Sequence, residues 1–222
     1  LVRSPLASTV TRSDRDRALA KLARRDLHVD HRGDALLVDR LYRGLERRTV
    51  GETLRGTEEA LAVGAHAVMN MLYTNHANEA GMFREAAELI SESIDTDIPV
   101  IIEALPFGIG RPADYTLENI GFTIRATAEI GADIVKTAFP TGASMEEFRE
   151  LVDASFAPVI ILGGSAMGDD EALLTMVKKA IDAGAIGIAV GRNVWQHPTP
   201  AKIAEALNAI VHDESTVAAA LK

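Results

Sequence analysis

Gly131-Ala-Asp-Ile-Val-Lys136-Thr-Ala-Phe-Pro140 is the stretch on which the reading of the fold turns. Gly131 reads as a helix stop, and Asp133 to Phe139 as a short strand with one lysine in an otherwise apolar run. Strands of a parallel sheet are nearly continuous in apolar residues because both faces are covered. A lysine on such a strand either loses its charge or finds a partner, since an unpaired buried ammonium is costly. Desolvation lowers a lysine pKa, and the neutral amine is the form that attacks a carbonyl to make a Schiff base. The plainer alternative is that Lys136 lies at the strand end and reaches solvent or a carboxylate.

Working outward from Lys136, the same beat recurs on both sides. Strands are expected at His66 to Tyr73, Pro99 to Leu105, Asp133 to Phe139, Pro158 to Leu162 and Ala185 to Val190. Helices are expected at Thr57 to Val63, Asn78 to Ser93, Thr116 to Ile130, Ser144 to Ala154, Asp169 to Ala183 and Pro200 to His212. The points Ala65, Pro99, Asp133, Pro158 and Ala185 are 34, 34, 25 and 27 residues apart, the period of one strand and one helix with their loops. Helix enders recur in step at Gly64-Ala65, Gly131-Ala132 and Gly184-Ala185. Such alternation implies a parallel sheet with right-handed crossovers. Without a GxGxxG after the first strand, the pattern favours an α/β TIM-type (β/α)8 barrel over a dinucleotide fold, with an open flavodoxin-like sheet as runner-up.

The first 56 residues break the beat. Leu1 to Leu6 and Asp26 to His31 are possible strands, and Ser13 to Arg25 and Asp34 to Arg48 possible helices. More than half of the 23 Lys and Arg lie here, so a basic N-terminal segment, residues 1–56, precedes an acidic βα-repeat portion, residues 57–222. A charge run of this kind is more often a solvated face than a binding surface. Three further βα units would need at least about 75 residues, more than this segment supplies, so the barrel is expected to be incomplete on its N-terminal side. Leu1 rather than Met opens the chain, as in a fragment or processed product.

Composition narrows the function classes. The 222 residues are 47% hydrophobic, enough for one sizeable core. A net charge of −9 recommends no nucleic-acid partner. The absence of cysteine excludes disulfides, thiolate metal sites and thiol nucleophiles. No apolar run approaches the roughly 20 residues of a membrane span, and a cytoplasmic protein is expected. His28, Asp30 and His31 hint at a metal, but alternate residues of a strand face opposite ways, so no metal or other cofactor is expected.

In a barrel of this type, reacting groups come from the C-terminal strand ends. Read in order, those ends are Tyr73-Thr-Asn-His76, Glu103-Ala-Leu-Pro-Phe-Gly108, Lys136-Thr-Ala-Phe139, Gly163-Gly164-Ser165 and Gly191-Arg192-Asn193. Glycines let backbone amides approach an anion closely, and an arginine adds a bidentate charge. Paired loops after the last two strands commonly hold phosphate in this fold, although a bare turn explains either glycine group alone.

Asp133-Ile-Val-Lys136-Thr137, Val159 to Ser165 and Ala189-Val-Gly-Arg-Asn-Val-Trp-Gln-His-Pro198 together resemble the class I aldolases of the DeoC/FbaB superfamily, in particular the archaeal-type fructose-bisphosphate aldolases and their relatives. The resemblance covers about residues 57–212. It implies a Schiff-base lysine on the sixth barrel strand, matched by Lys136, and phosphate held after strands seven and eight, matched by Gly163, Gly164, Ser165, Gly191 and Arg192. It also implies a small phosphorylated sugar as substrate and a homo-oligomer.

Three departures qualify the match. Where the fructose-bisphosphate aldolases carry a Trp-x-Tyr-Pro whose tyrosine is the acid/base, this chain has Glu103-Ala-Leu105-Pro106, and leucine cannot move a proton. Glu103, at the tryptophan position, serves instead if burial raises its pKa, or else merely pairs with a cation. Ser165-Ala166 lacks the lysine that many relatives carry after the double glycine. The family's Asp-His-Gly has its nearest match in Asp30-His31-Arg32-Gly33, which makes Asp30 a second acid/base candidate; if Leu1 to Leu6 is instead the third strand, Asp30 lies in an insertion. Tyr73 is a reserve proton carrier, and Trp195 is expected at the rim or a subunit contact.

The expectation is an aldehyde-lyase that uses Lys136 to cleave or form a carbon–carbon bond in a phosphorylated ketose. The alternatives are transaldolase- or thiolase-type transfer on a related substrate, and an impaired paralogue that only binds a sugar phosphate.

Overall fold

The structure is a computed structural model and describes residues 56–62, 64–106 and 114–222. The expectations for residues 1–55, Asp30 and His31 among them, lie outside the described residues, as do Phe107 and Gly108. The element order is α1 (Thr57–Ala62), β1 (Val68–Tyr73), α2 (Glu79–Thr96), β2 (Val100–Leu105), α3 (Leu117–Glu129), β3 (Ile134–Thr137), α4 (Met145–Ala154), β4 (Val159–Leu162), α5 (Asp170–Asp182), β5 (Gly187–Ala189), α6 (Arg192–Trp195), α7 (Pro200–His212) and α8 (Val217–Ala220).

Local chemistry explains why the elements begin and end where they do. Three helices stop in the same way. The amides of Gly64, Gly131 and Gly184 donate to Leu61, Ala128 and Ile181, and those of Ala65, Ala132 and Ala185 to Ala60, Thr127 and Ala180. This paired pattern is the Schellman motif, which needs a left-handed residue; Gly131 and Gly184 supply it at φ 101° and 102°. At the other end, Thr116, Ser144 and Asp169 accept backbone amides three residues on and start α3, α4 and α5. Ser144 and Glu147 form a reciprocal capping box. Each cap also fixes the end of the loop that leaves the preceding strand.

The five strands form one parallel sheet in the order β1-β2-β3-β4-β5. A doubly wound sheet reverses its strand order at a switch point, and there is none among the described residues, so the flavodoxin-like alternative is set aside. Helix α2 packs on β1 and β2, α3 on β2 and β3, and α3, α4, α5 and α7 pack on one another in turn. This is the strand-inside, helix-outside arrangement of a TIM-type barrel.

The two faces of the sheet differ sharply. On the helix-covered face, Leu72, Ile102, Ala104, Val135, Thr137, Val159 and Ile161 are completely buried. On the other face, Met69, Met71, Ile101, Ile160 and Leu162 are only part-buried. Register places Met71, Glu103, Lys136, Ile160 and Gly187 in one row across all five strands. In parallel pairing, register partners point to the same side, so the carboxylate and the ammonium share the inner face.

Candidate active site

Lys136 is the third residue of β3, and Glu103 is its register partner on β2. Adjacent strands lie about 4.8 Å apart, which brings partnered side chains together without strain. Lys136 Nζ stands 2.7 Å from Glu103 Oε2, with side chains 10% and 6% exposed. Nζ also lies 3.7 Å from Met69 Sδ on β1. The lysine is therefore buried and paired, not extended into solvent. From the outer face, Thr137 Oγ1 donates to the Ala104 carbonyl at 3.0 Å and ties β3 to β2 beside the pair.

Two tyrosines lie within range of the Glu103 charge. Tyr73 ends β1 with the parity of Met69 and Met71, its ring centroid 6.2 Å from that of His76. Tyr115 lies just before α3, and its carbonyl accepts the Thr141 amide at 2.7 Å, joining the loops that follow β2 and β3. Burial raises both phenol pKa values above the ordinary value, and the Glu103 charge adds to the effect. At Tyr115 the Arg192 guanidinium pulls the other way, so the loop after β5 acts on the same region. Leu105, at the end of β2, is buried and apolar.

The glycine loops after β4 and β5 interlock. A Cβ on Gly163 would lie 2.4 Å from Val190 Cγ1, and one on Gly191 would lie 2.5 Å from Trp195 Cζ2. Both positions therefore need glycine because a neighbour occupies the space. Gly164 has φ 62°, in the left-handed region. Ser165 and Arg192 are exposed. Asn193, only 6% exposed, joins the loops: its Nδ2 donates to the Gly163 and Ser165 carbonyls at 2.7 and 3.2 Å, and its Oδ1 accepts the Met167 amide at 2.8 Å. A second tie links His197 Nε2 to Asp170 Oδ1 at 3.0 Å. Trp195 is half-exposed at this rim.

Lys136, Glu103 and the two glycine loops thus occupy C-terminal strand ends of one sheet, while Asp30 is outside the described residues. Tyr115 joins them without any motif to mark it, and Asn193, inside the Gly191-Arg192-Asn193 strand end, joins them in a holding role that the motif does not specify.

The aldolase model described as DeoC/LacD family matches residues 41–197. The chain belongs to the DeoC/LacD aldolase family. The chain is 37% identical over 164 residues to the 2-amino-3,7-dideoxy-D-threo-hept-6-ulosonate synthase of Halobacterium salinarum, covering 74% of this chain and 60% of the relative. It is likewise 37% identical over 162 residues to a class 1 fructose-bisphosphate aldolase of the same species, covering 73% and 61%. Among solved structures it resembles a Schiff-base-forming fructose-1,6-bisphosphate aldolase with a TM-score of 0.68 and 33% identity, covering 74% of this chain and 65% of that one. The chain thus spans about three fifths of the length of the curated relatives it matches. No helix among the described residues is long and apolar enough to cross a membrane.

Proposed function

We propose that this chain carries the nucleophile and phosphate-holding elements of a class I aldolase that cleaves or forms a carbon–carbon bond in a phosphorylated ketose. The observation that carries the reading is the 2.7 Å contact between buried Lys136 and Glu103 on the inner sheet face. An ammonium must lose a proton before it attacks, and Glu103 is a base within reach. The freed amine adds to the ketose carbonyl carbon, and the carbonyl oxygen gains a proton as the carbinolamine forms. Glu103 returns its proton to that hydroxyl, water leaves, and a protonated imine remains.

A base then takes the proton from the hydroxyl on the carbon β to the imine. The bond between the α and β carbons breaks, an aldehyde departs, and the electron pair moves into the imine as an enamine. Protonation at carbon and hydrolysis return the ketone and the free amine. Leu105 cannot serve as that base. Glu103 fits the role through its contact with Lys136; Tyr73 and Tyr115, held as neutral phenols within range of its charge, are further candidates. Asp30 remains the further candidate. The phosphate is assigned to the backbone of Gly163, Gly164, Ser165 and Gly191 with the Arg192 guanidinium, as donors aimed at an anion.

The test is cleavage of a panel of phosphorylated ketoses by the parent protein and Lys136→Met. Loss of at least about 1000-fold is expected when a covalent nucleophile is removed. Unchanged cleavage would sink the assignment.

Leu105 in place of the expected tyrosine favours a second reading, transfer of the enamine fragment to another acceptor, and the hept-6-ulosonate synthase is a relative of that synthetic kind. Product analysis with added acceptor aldehydes separates it from simple cleavage. A homo-oligomer is part of the same proposal, with solution mass as its check. So is the division into residues 1–56 and 57–222, for which limited proteolysis is the check.

A further inference from the structure

The loops after β4 and β5 are held together through one side chain. Asn193 is almost fully buried, and its side chain makes three hydrogen bonds to the backbone of the neighbouring loop, at Gly163, Ser165 and Met167. Its amide therefore uses both donor and acceptor on three peptide groups within five residues. Gly163 sits closest to it: a Cβ there would lie 3.1 Å from Asn193 Nδ2, as well as colliding with Val190.

Peptide geometry gives this clamp a direction. In a trans peptide the N–H points opposite to the C=O. With the Gly163 and Ser165 carbonyls turned toward Asn193, the amides of Gly164 and Ala166 point away from it. The Gly164–Ser165 peptide lies between these two clamped peptides, and the left-handed Gly164 turns the chain there so that both clamped amides are presented as donors, as in an anion-binding nest. Arg192, the residue before Asn193, leaves the same turn on the other loop. Fixing Asn193 thus fixes the spacing of the amide donors and of the guanidinium together.

We propose that Asn193 is a positioning residue that sets the anion-binding loop, and so confers preference for phosphorylated over unphosphorylated carbonyl substrates. The proposal rests on the Lys136 aldolase reading given above. Asn193 touches no substrate in this account; it acts through the amides of Gly164 and Ala166 and through Arg192.

The experiment compares the parent protein with Asn193→Ala and Asn193→Asp, using borohydride trapping with dihydroxyacetone phosphate and with unphosphorylated dihydroxyacetone. Aspartate keeps the volume and the acceptor for the Met167 amide but cannot donate to the two carbonyls, so it carries the test if the alanine variant does not fold. The concentration of phosphorylated ketose giving half-maximal trapping is expected to rise about tenfold or more, the scale of a lost hydrogen bond to a charged group. The maximal trapping rate and the half-maximal concentration for dihydroxyacetone are expected to change much less. Hydrogen exchange at the amides of residues 164–167 should quicken in the same variants. Equal half-maximal concentrations for parent and variants, or parallel changes for both ketones, would overturn the inference. If the parent itself traps neither ketone, the aldolase reading fails instead, which is a separate outcome.

Discussion

The two faces of this sheet have opposite chemistry on the same strands. The face under the helices is filled by Leu72, Ile102, Val135, Val159 and Ile161, all with no exposed surface. One residue along, the inner face carries part-buried Met69, Met71, Ile160 and Leu162 around an ion pair. The outer face gains its stability from area removed from water, at about 25 cal/mol per Å². The inner face keeps a carboxylate and an ammonium together at a cost in desolvation that close-packed apolar residues would not incur. Alternation with a period of two lets each short strand serve both ends without compromise.

Substitutions should separate the faces, beginning with the strongest effect. Glu103→Gln removes the proton acceptor next to Lys136, and imine formation should slow by about 100-fold or more. Rapid-quench trapping measures this, and a rate within a few-fold of the parent would remove Glu103 from the mechanism. On the outer face, Ile161→Ala should cost about 2–5 kcal/mol of stability, because the buried side chain leaves a cavity under the helices. Denaturant unfolding gives that number, and the folded fraction should trap ketose as the parent does. A large loss of trapping in folded Ile161→Ala would show that the faces are not independent.

The smallest effect concerns the phenols that sense the Glu103 charge. Burial first, and then the Glu103 charge, raise Tyr73 and Tyr115 above their ordinary value. The folded chain therefore holds these protons more tightly than the unfolded chain, whose phenols titrate near about pH 10. Their contribution is complete below that pH and is lost as pH rises through the higher folded values. Melting temperature should fall above about pH 10, and Tyr73→Phe or Tyr115→Phe should lessen the fall. Identical alkaline profiles for parent and variants would contradict the burial of these hydroxyls near the Glu103 charge.

The outer architecture was largely legible in the sequence, and the reason is local. Gly64-Ala65, Gly131-Ala132 and Gly184-Ala185 mark helix ends through their own backbone requirements, and Thr116, Ser144 and Asp169 mark helix starts through their own side chains. The strands form slightly inside their expected spans: β3 runs Ile134–Thr137 rather than Asp133 to Phe139. Asp133, just before β3, holds the start of β2 from both sides: its carboxylate accepts the Val100 amide at 2.8 Å and its amide donates to the Val100 carbonyl at 3.1 Å. The expected strand Ala185 to Val190 shortens to Gly187–Ala189, and the short helices α6 and α8 follow without any periodicity long enough to announce them.

Partners across the sheet were much less legible. The oddity of Lys136 is visible in its own strand, but its pairing with Glu103 depends on register, which two separate strand sequences do not encode. Tyr115 reaches the same region through a loop, so neither spacing nor periodicity points to it. Asn193 lies inside the most distinctive stretch of the chain, yet its bonds run to a loop about 30 residues away. A side chain whose role is to hold another segment leaves little trace in its own neighbourhood.

The measurement that bears most directly on the central claim is borohydride reduction in the presence of phosphorylated ketoses, read by intact mass and peptide mapping. One adduct per chain is expected, on Lys136, with a mass that names the trapped sugar. A folded protein that gives no adduct with any ketose, or gives one on a lysine other than Lys136, would contradict it.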